Sequence, residues 1–361
     1  MRLTKESLGI QTRKRILYLD QHFFSLVHKG KDPQWVTAMQ RITELLDLQL
    51  VAVPYSRTHE AETDLYVGGR DDLLNFIQRV TRGHNFEPYY RVEETQILKA
   101  FQAYLANAPA KYMKAERDAL SSSVHEWDGD YSVSVFRAAS DVERKREFKR
   151  QAVEELVKTL STWAASKNTF EQDMALELRD SARILMEGYA KKTARLWSGD
   201  FSALVNSPIS ASVVEAMVYI LSVEKVQGDV LRAVGSFFQS EHFAEVPSQQ
   251  LSARLFSTFK KRVRAGAYRN RGKLSGFLFD VQHAATYVPY CDAFFADRAM
   301  ANLLNDPLVN IEQDFGCKIF SASKMEEFFR WLDDVKSRMA PDHADGLMWA
   351  YPQYRSMGRG N

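Results

Sequence analysis

The sequence predicts an α/β fold in which a parallel sheet flanked by helices is built from both ends of the chain, with a mainly α-helical inserted region between. Three observations carry that expectation. Buried-strand patterns stand near the ends: RILYLD (15–20) and LQLVAVP (48–54), then AFFAD (293–297) and CKIFSAS (317–323). Helical spacing follows each of them, the order that lets a helix cross back over a parallel sheet. Between about 91 and 265, apolar residues recur every three or four positions, as in amphipathic helices.

The first strand ends in Asp20 and leads into helices over 21–29 and 33–47, the second opened by Asp32-Pro33 as N-cap and first helical residue. Pro54 stops the second strand, and another helix starts from Ser56. In the middle, helices are expected over 92–106, 141–164, 170–197, 210–240 and 248–265. SVSVF (132–136) alternates with period two and is the one strand candidate there. After GAYRNRG (266–272), helices over 274–287, 298–304 and 325–335 alternate with the last two strands.

Composition narrows the function classes. The 361 residues are 45 % hydrophobic and 26 % charged, a globular balance, and 48 Lys plus Arg against 46 Asp plus Glu leave a net charge of only +2. Any nucleic-acid affinity must therefore be local. Two cysteines, Cys291 and Cys317, make no disulfide framework and suit a reducing compartment. With no signal-like start and no bilayer-length apolar run, a cytoplasmic protein without membrane contact is expected. HEAET (59–63) lacks the second histidine of a zinc-protease helix, and no Gly-rich phosphate loop occurs.

In open parallel sheets the working site lies beyond the carboxyl ends of the strands. Asp20 and Asp297 close two strands, Glu62 lies six residues past Ser56, and Asp280 sits on the helix before AFFAD. Four carboxylates facing one cleft repel each other, and a hard cation relieves that repulsion. An all-carboxylate set favours Mg²⁺ or Mn²⁺ over zinc.

These residues carry a family resemblance. YLDQH (18–22) resembles the opening motif of PIN-like nucleases. PYSRTHEAE (54–62) is similar to that family's second motif through Ser56 and Glu62. FDVQHAATYVPYCDAFFADRAM (279–300) resembles the third and fourth through Asp280 and Asp297. Phe295 stands where the family often has a hydroxyl residue.

The resemblance implies a PIN-like core over 15–84 and 272–338, a helical insertion over 85–271 and a C-terminal tail over 339–361. It also implies a Mg²⁺- or Mn²⁺-dependent nuclease, RNA ahead of DNA, with Asp20, Glu62, Asp280 and Asp297 as catalytic and metal-holding acids. Asp292 is either a further metal ligand or the start of its strand. Ser56, His59 and His283 stand in support of the acids, and each histidine lies three residues from one of them.

A polymer substrate needs a positive track. KKRVRAGAYRNRGK (260–273) offers Lys260, Lys261, Arg262, Arg264, Arg269, Arg271 and Lys273, whereas RKREFKR (144–150) reads as a solvated helix face. The insertion could contact a protein partner. Two other readings remain open: a non-catalytic nucleic-acid-binding or scaffold protein of the same fold, and a metal-dependent phosphohydrolase of small phosphates.

Overall fold

A computed structural model describes residues 12–63, 69–129, 142–206, 209–225, 228–268, 274 and 276–351. Its strands are β1 (Arg15–Leu19), β2 (Val51–Ala52), β3 (Ala293–Phe295) and β4 (Lys318–Phe320), all parallel, in the order β2-β1-β3-β4. The two halves of the sheet meet where β1 pairs with β3, Leu17 opposite Ala293 and Leu19 opposite Phe295. Chain ends far apart in sequence thus form one layer.

Strand periodicity explains why that layer is buried on both faces. Ile16, Tyr18, Phe294 and Ile319 join one apolar cluster, while Leu17, Leu19, Phe295 and Phe320 join another on the opposite face. The second face is covered by α1 (Gln21–Lys29), α2 (Pro33–Asp47), α4 (Arg70–Thr81) and α15 (Met325–Ser337), with the short α3 (Arg57–Thr63) between β2 and α4. Asp32 accepts from the Gln34 N–H at 2.9 Å, as its N-cap position requires. Gly30 closes α1 in the left-handed region at φ 59°.

Between the halves, the elements are α5 (Tyr89–Leu105), α6 (Val142–Ala165), α7 (Phe170–Trp197), α8 (Ile209–Val223), α9 (Val230–Phe238), α10 (Glu241–Ala244) and α11 (Pro247–Arg264). Then come α12 (Phe277–Tyr287), α13 (Arg298–Leu304), α14 (Ile311–Phe315) and, beyond α15, α16 (Pro341–Ala350). The inserted region is not a detached lobe. Leu251, Leu255 and Phe259 of α11 lie in the same cluster as Tyr18 and Phe294, so α11, packed against α12, shares one core with the first face of the sheet. A separate cluster around Phe101, Met217 and Phe237 joins α5, α7, α8, α9 and α10.

Several expectations are corrected. The helix expected over 210–240 is two helices, because Gly228 turns at φ 109° and the Asp229 carboxylate caps α9 at the Arg232 N–H, 3.1 Å away. β2 shrinks to two residues because Gln49 adopts φ 58° just before it. The expected tail carries α16, and His343 on it contacts the Leu48 carbonyl oxygen through Nε2 at 2.8 Å. SVSVF lies outside the described residues. Among the described residues no helix is long and apolar enough to cross a membrane.

Candidate active site at the carboxyl ends of β1 and β3

Asp20 follows the last residue of β1, and its backbone N–H donates to the Phe295 carbonyl at 3.0 Å, extending the ladder by one step. Asp297 stands two residues past β3 and caps α13, its carboxylate accepting from the Met300 N–H at 2.8 Å. From the Leu19–Phe295 register, their Cα atoms lie on the order of 6 Å apart. Asp20 also occupies the N-cap position of α1. Half-buried and crowded, that carboxyl is raised from 3.8 to about 6. Burial is the main cause and the Asp297 charge the second, against opposing contributions from His22 and from the backbone N–H groups of His22 and Asp297.

Behind the pair, a buried polar relay fixes the end of β1. His59 is fully buried, with Nε2 2.7 Å from the Leu19 carbonyl oxygen and Nδ1 3.0 Å from the Ser56 backbone N. A carbonyl can only accept and an N–H can only donate, so the ring is the neutral tautomer protonated on Nε2. Burial keeps it neutral, lowering its pKa to about 4. Ser56 Oγ stands 3.2 Å from Nδ1 and 3.3 Å from the Tyr18 hydroxyl, so Tyr18 donates to Ser56 and Ser56 to His59. His59 cannot reach a substrate phosphate. It ties the start of α3 to the residue before Asp20.

The other expected residues lie on α3 and α12. Glu62, half-buried on α3, is close enough to raise the Tyr18 hydroxyl, as Asp20 does more strongly, although burial of Tyr18 is the first cause. Asp280 lies in the first turn of α12, its carboxylate 3.6 Å from where a Cβ on Gly276 would stand. That is about 10 Å along the helix from Tyr287, whose ring packs on Tyr18 at 6.0 Å. His283 stacks on Tyr287 at 6.5 Å. The structure brings Asp20 and Asp297 together at the ends of adjacent strands, with Glu62 on α3 and Asp280 in the first turn of α12. Among the described residues no three His, Cys, Asp or Glu groups stand together as an ion site.

Asp292 does not belong with them. It precedes β3, accepts from the Ile16 N–H and from Arg15, both at 2.8 Å, and lies about 16 Å from Asp297 at the opposite end of the sheet. Its role is to start the strand.

The basic stretch is largely engaged inside the molecule. Lys260 is 7 % exposed and pairs with Glu177, Arg262 pairs with Asp306 at 2.7 Å, and Arg264 with the buried Asp173 at 2.7 Å. Lys261 is exposed, and Arg269, Arg271 and Lys273 lie outside the described residues. Sequence reasoning passed over two other cations, Arg57 and Arg298. Both are exposed, both are the first residue of a helix starting on the carboxyl side of the sheet, and neither has an ion-pair partner among the described residues. The readable signal was adjacency, since each follows directly on Ser56 or Asp297.

Comparisons with protein-family models, with curated proteins and with solved structures find no match to this chain.

Proposed function

We propose that the protein is a divalent-metal-dependent nuclease that hydrolyses phosphodiester bonds, RNA ahead of DNA, on a PIN-like core. The observation that carries this reading is the Asp20–Asp297 pair at the carboxyl rim of a parallel sheet. The charge of Asp20 is disfavoured by burial and by its neighbour. A carboxylate perturbed by burial and by a charged neighbour at such a rim is a candidate functional group.

The donor set fits Mg²⁺ or Mn²⁺: hard carboxylate oxygens, close together, where a magnesium ion characteristically uses one or two protein carboxylates plus water and substrate phosphate. Asp20 and Asp297 would hold it. When bound, the ion supplies charge neutralisation at the phosphate and activation of water. The chain's own residues do the rest. The Tyr18–Ser56–His59 relay sets the position of the β1 end, the cap to Met300 sets Asp297, and Arg57 and Arg298 offer positive charge to the phosphate backbone. Glu62 and Asp280 would be the further acids of the set, as the family resemblance implies.

The test is cleavage of end-labelled single-stranded RNA with Mg²⁺ or Mn²⁺. Loss of cleavage in Asp20→Asn, in Asp297→Asn and in EDTA is expected, with 5′-phosphate products. Full activity in either variant removes that residue from the site.

A second reading, hydrolysis of a small phosphate, is favoured by the internal pairing of Lys260, Arg262 and Arg264, which takes three cations from the expected polymer track. It is distinguished by turnover of a chromogenic phosphate ester without RNA cleavage.

A further inference from the structure

The helical region holds a concavity of its own. Residues of α5, α7, α8, α11 and α12 surround about 480 Å³, a size in the ~300–1,000 Å³ class of small-molecule sites. One face of α12, Leu278, Gln282 and Ala285, lines it, while Asp280, His283 and Tyr287 fall on the opposite face toward the sheet. The helix therefore separates this cavity from the acid pair.

Its chemistry is one-sided. The described lining includes Glu93, Glu177 and Asp180 but no Lys, Arg or His. Glu177 is paired with Lys260, and Asp180, its side chain half exposed, lies 3.4 Å from Arg183, which also pairs with Glu187. Glu93 has no cationic partner among the described residues. It accepts from Gln249 Nε2, and the Gln249 amide oxygen in turn accepts from Ser181 Oγ, which fixes the amide's orientation. Burial pushes the Glu93 carboxyl above its usual range, against the Gln249 hydrogen bond. Ser248, which also lines the cavity, is 4 % exposed, and its hydroxyl has no hydrogen-bond partner among the described residues, although its backbone N–H donates to Gln96 at 2.9 Å. Buried hydroxyls are rarely left in that state. Tyr89, Tyr90 and Phe256 supply aromatic surface around these groups.

We infer that this cavity binds a small organic ammonium ion, a protonated amine on an apolar or aromatic body. The ammonium pairs with Glu93, Ser248 supplies a neutral polar contact, and the body lies against Tyr89, Tyr90 and Phe256, where ring faces also favour a cation. A metal ion fits less well, because several oxygen ligands must converge on it and among the described residues no three His, Cys, Asp or Glu groups stand together to hold one. The site is independent of the nuclease reading and needs no activity to be tested.

The experiment is calorimetric titration of the full chain with 2-phenylethylammonium and with 2-phenylethanol, its neutral isostere. The amine is expected to bind roughly tenfold or more tightly than the alcohol, the scale of one charge-assisted hydrogen bond. Glu93→Gln is expected to remove that advantage while leaving alcohol binding unchanged. Phe256→Leu should weaken both probes alike. Equal affinity for amine and alcohol in the native chain overturns the inference whatever the variants do. So does an unchanged amine affinity in a folded Glu93→Gln protein, or the absence of amine binding at millimolar concentration.

Discussion

Replacing Asp20 by Asn should stabilise the metal-free protein, and the effect should depend on pH in a definite direction. The Asp20 carboxyl is raised from 3.8 to about 6 on folding. Between those values the folded chain holds a proton that the unfolded chain has released, so stability falls as pH rises through the window and stays lower above it. At ~1.4 kcal/mol per unit, a rise of about two units gives a ceiling of ~3 kcal/mol. Water still reaches Asp20, which brings the expectation to ~1–3 kcal/mol. Asparagine caps a helix as well as aspartate does, so no cap energy is lost. Thermal melts in EDTA should show the variant more stable above pH 6, by on the order of 2 °C per kcal/mol for a large chain, and level with the native protein near pH 4. A variant that melts lower at pH 7, or a gain that persists at pH 4, refutes the assignment of Asp20 as a strained, non-structural acid.

His59 should act with the opposite sign. Its pKa falls from 6.5 to about 4, so its contribution is complete above pH 6.5 and lost as pH drops toward 4. His59→Ala should cost ~2–5 kcal/mol in chemical denaturation, by stranding the Leu19 carbonyl and the Ser56 N–H and leaving a cavity. At Asp297, Asn should keep the cap to Met300, whereas Ala should lose it and destabilise by ~1 kcal/mol on top of any loss of activity, which a melt of both variants checks. Arg264→Ala should destabilise by ~3–5 kcal/mol because it leaves the buried Asp173 uncompensated. Changing Arg57 and Arg298 together should leave stability nearly unaltered but lower the salt slope of single-stranded RNA binding by ~1.4, about 0.7 for each phosphate contact; an unchanged slope removes both from the track.

Features with a local cause were readable from the chain. Helices α1, α2, α7 and α13 run over the expected residues because each carries its own stop or start: Gly30, Asp32-Pro33, the Thr169–Gln172 capping box and Asp297. The joining of the two chain ends was readable from strands apolar on both faces, which only a covered parallel sheet accommodates.

What was not readable depends on partners distant in sequence. Asp292 and Asp297 flank one strand and so stand at opposite rims whatever its partner, but that Asp297 stands beside Asp20 depends on the pairing and register of β1 with β3. A basic stretch reports charge without reporting that Glu177, Asp173 and Asp306 neutralise it. The break between α8 and α9 was hidden in a run of apolar spacing, where the glycine and cap were outweighed by the pattern around them. Glu93 and Gln249 are 156 residues apart, and nothing local to either announces a shared cavity.

The most direct test is Mn²⁺ binding followed by electron paramagnetic resonance in the native protein, Asp20→Asn, Asp297→Asn and Asp292→Asn. Asp20→Asn and Asp297→Asn should each abolish the bound-ion signal, while Asp292→Asn, at the far rim, should leave it intact. Binding that survives loss of both Asp20 and Asp297, or that vanishes with Asp292, contradicts a cation site at the carboxyl ends of β1 and β3.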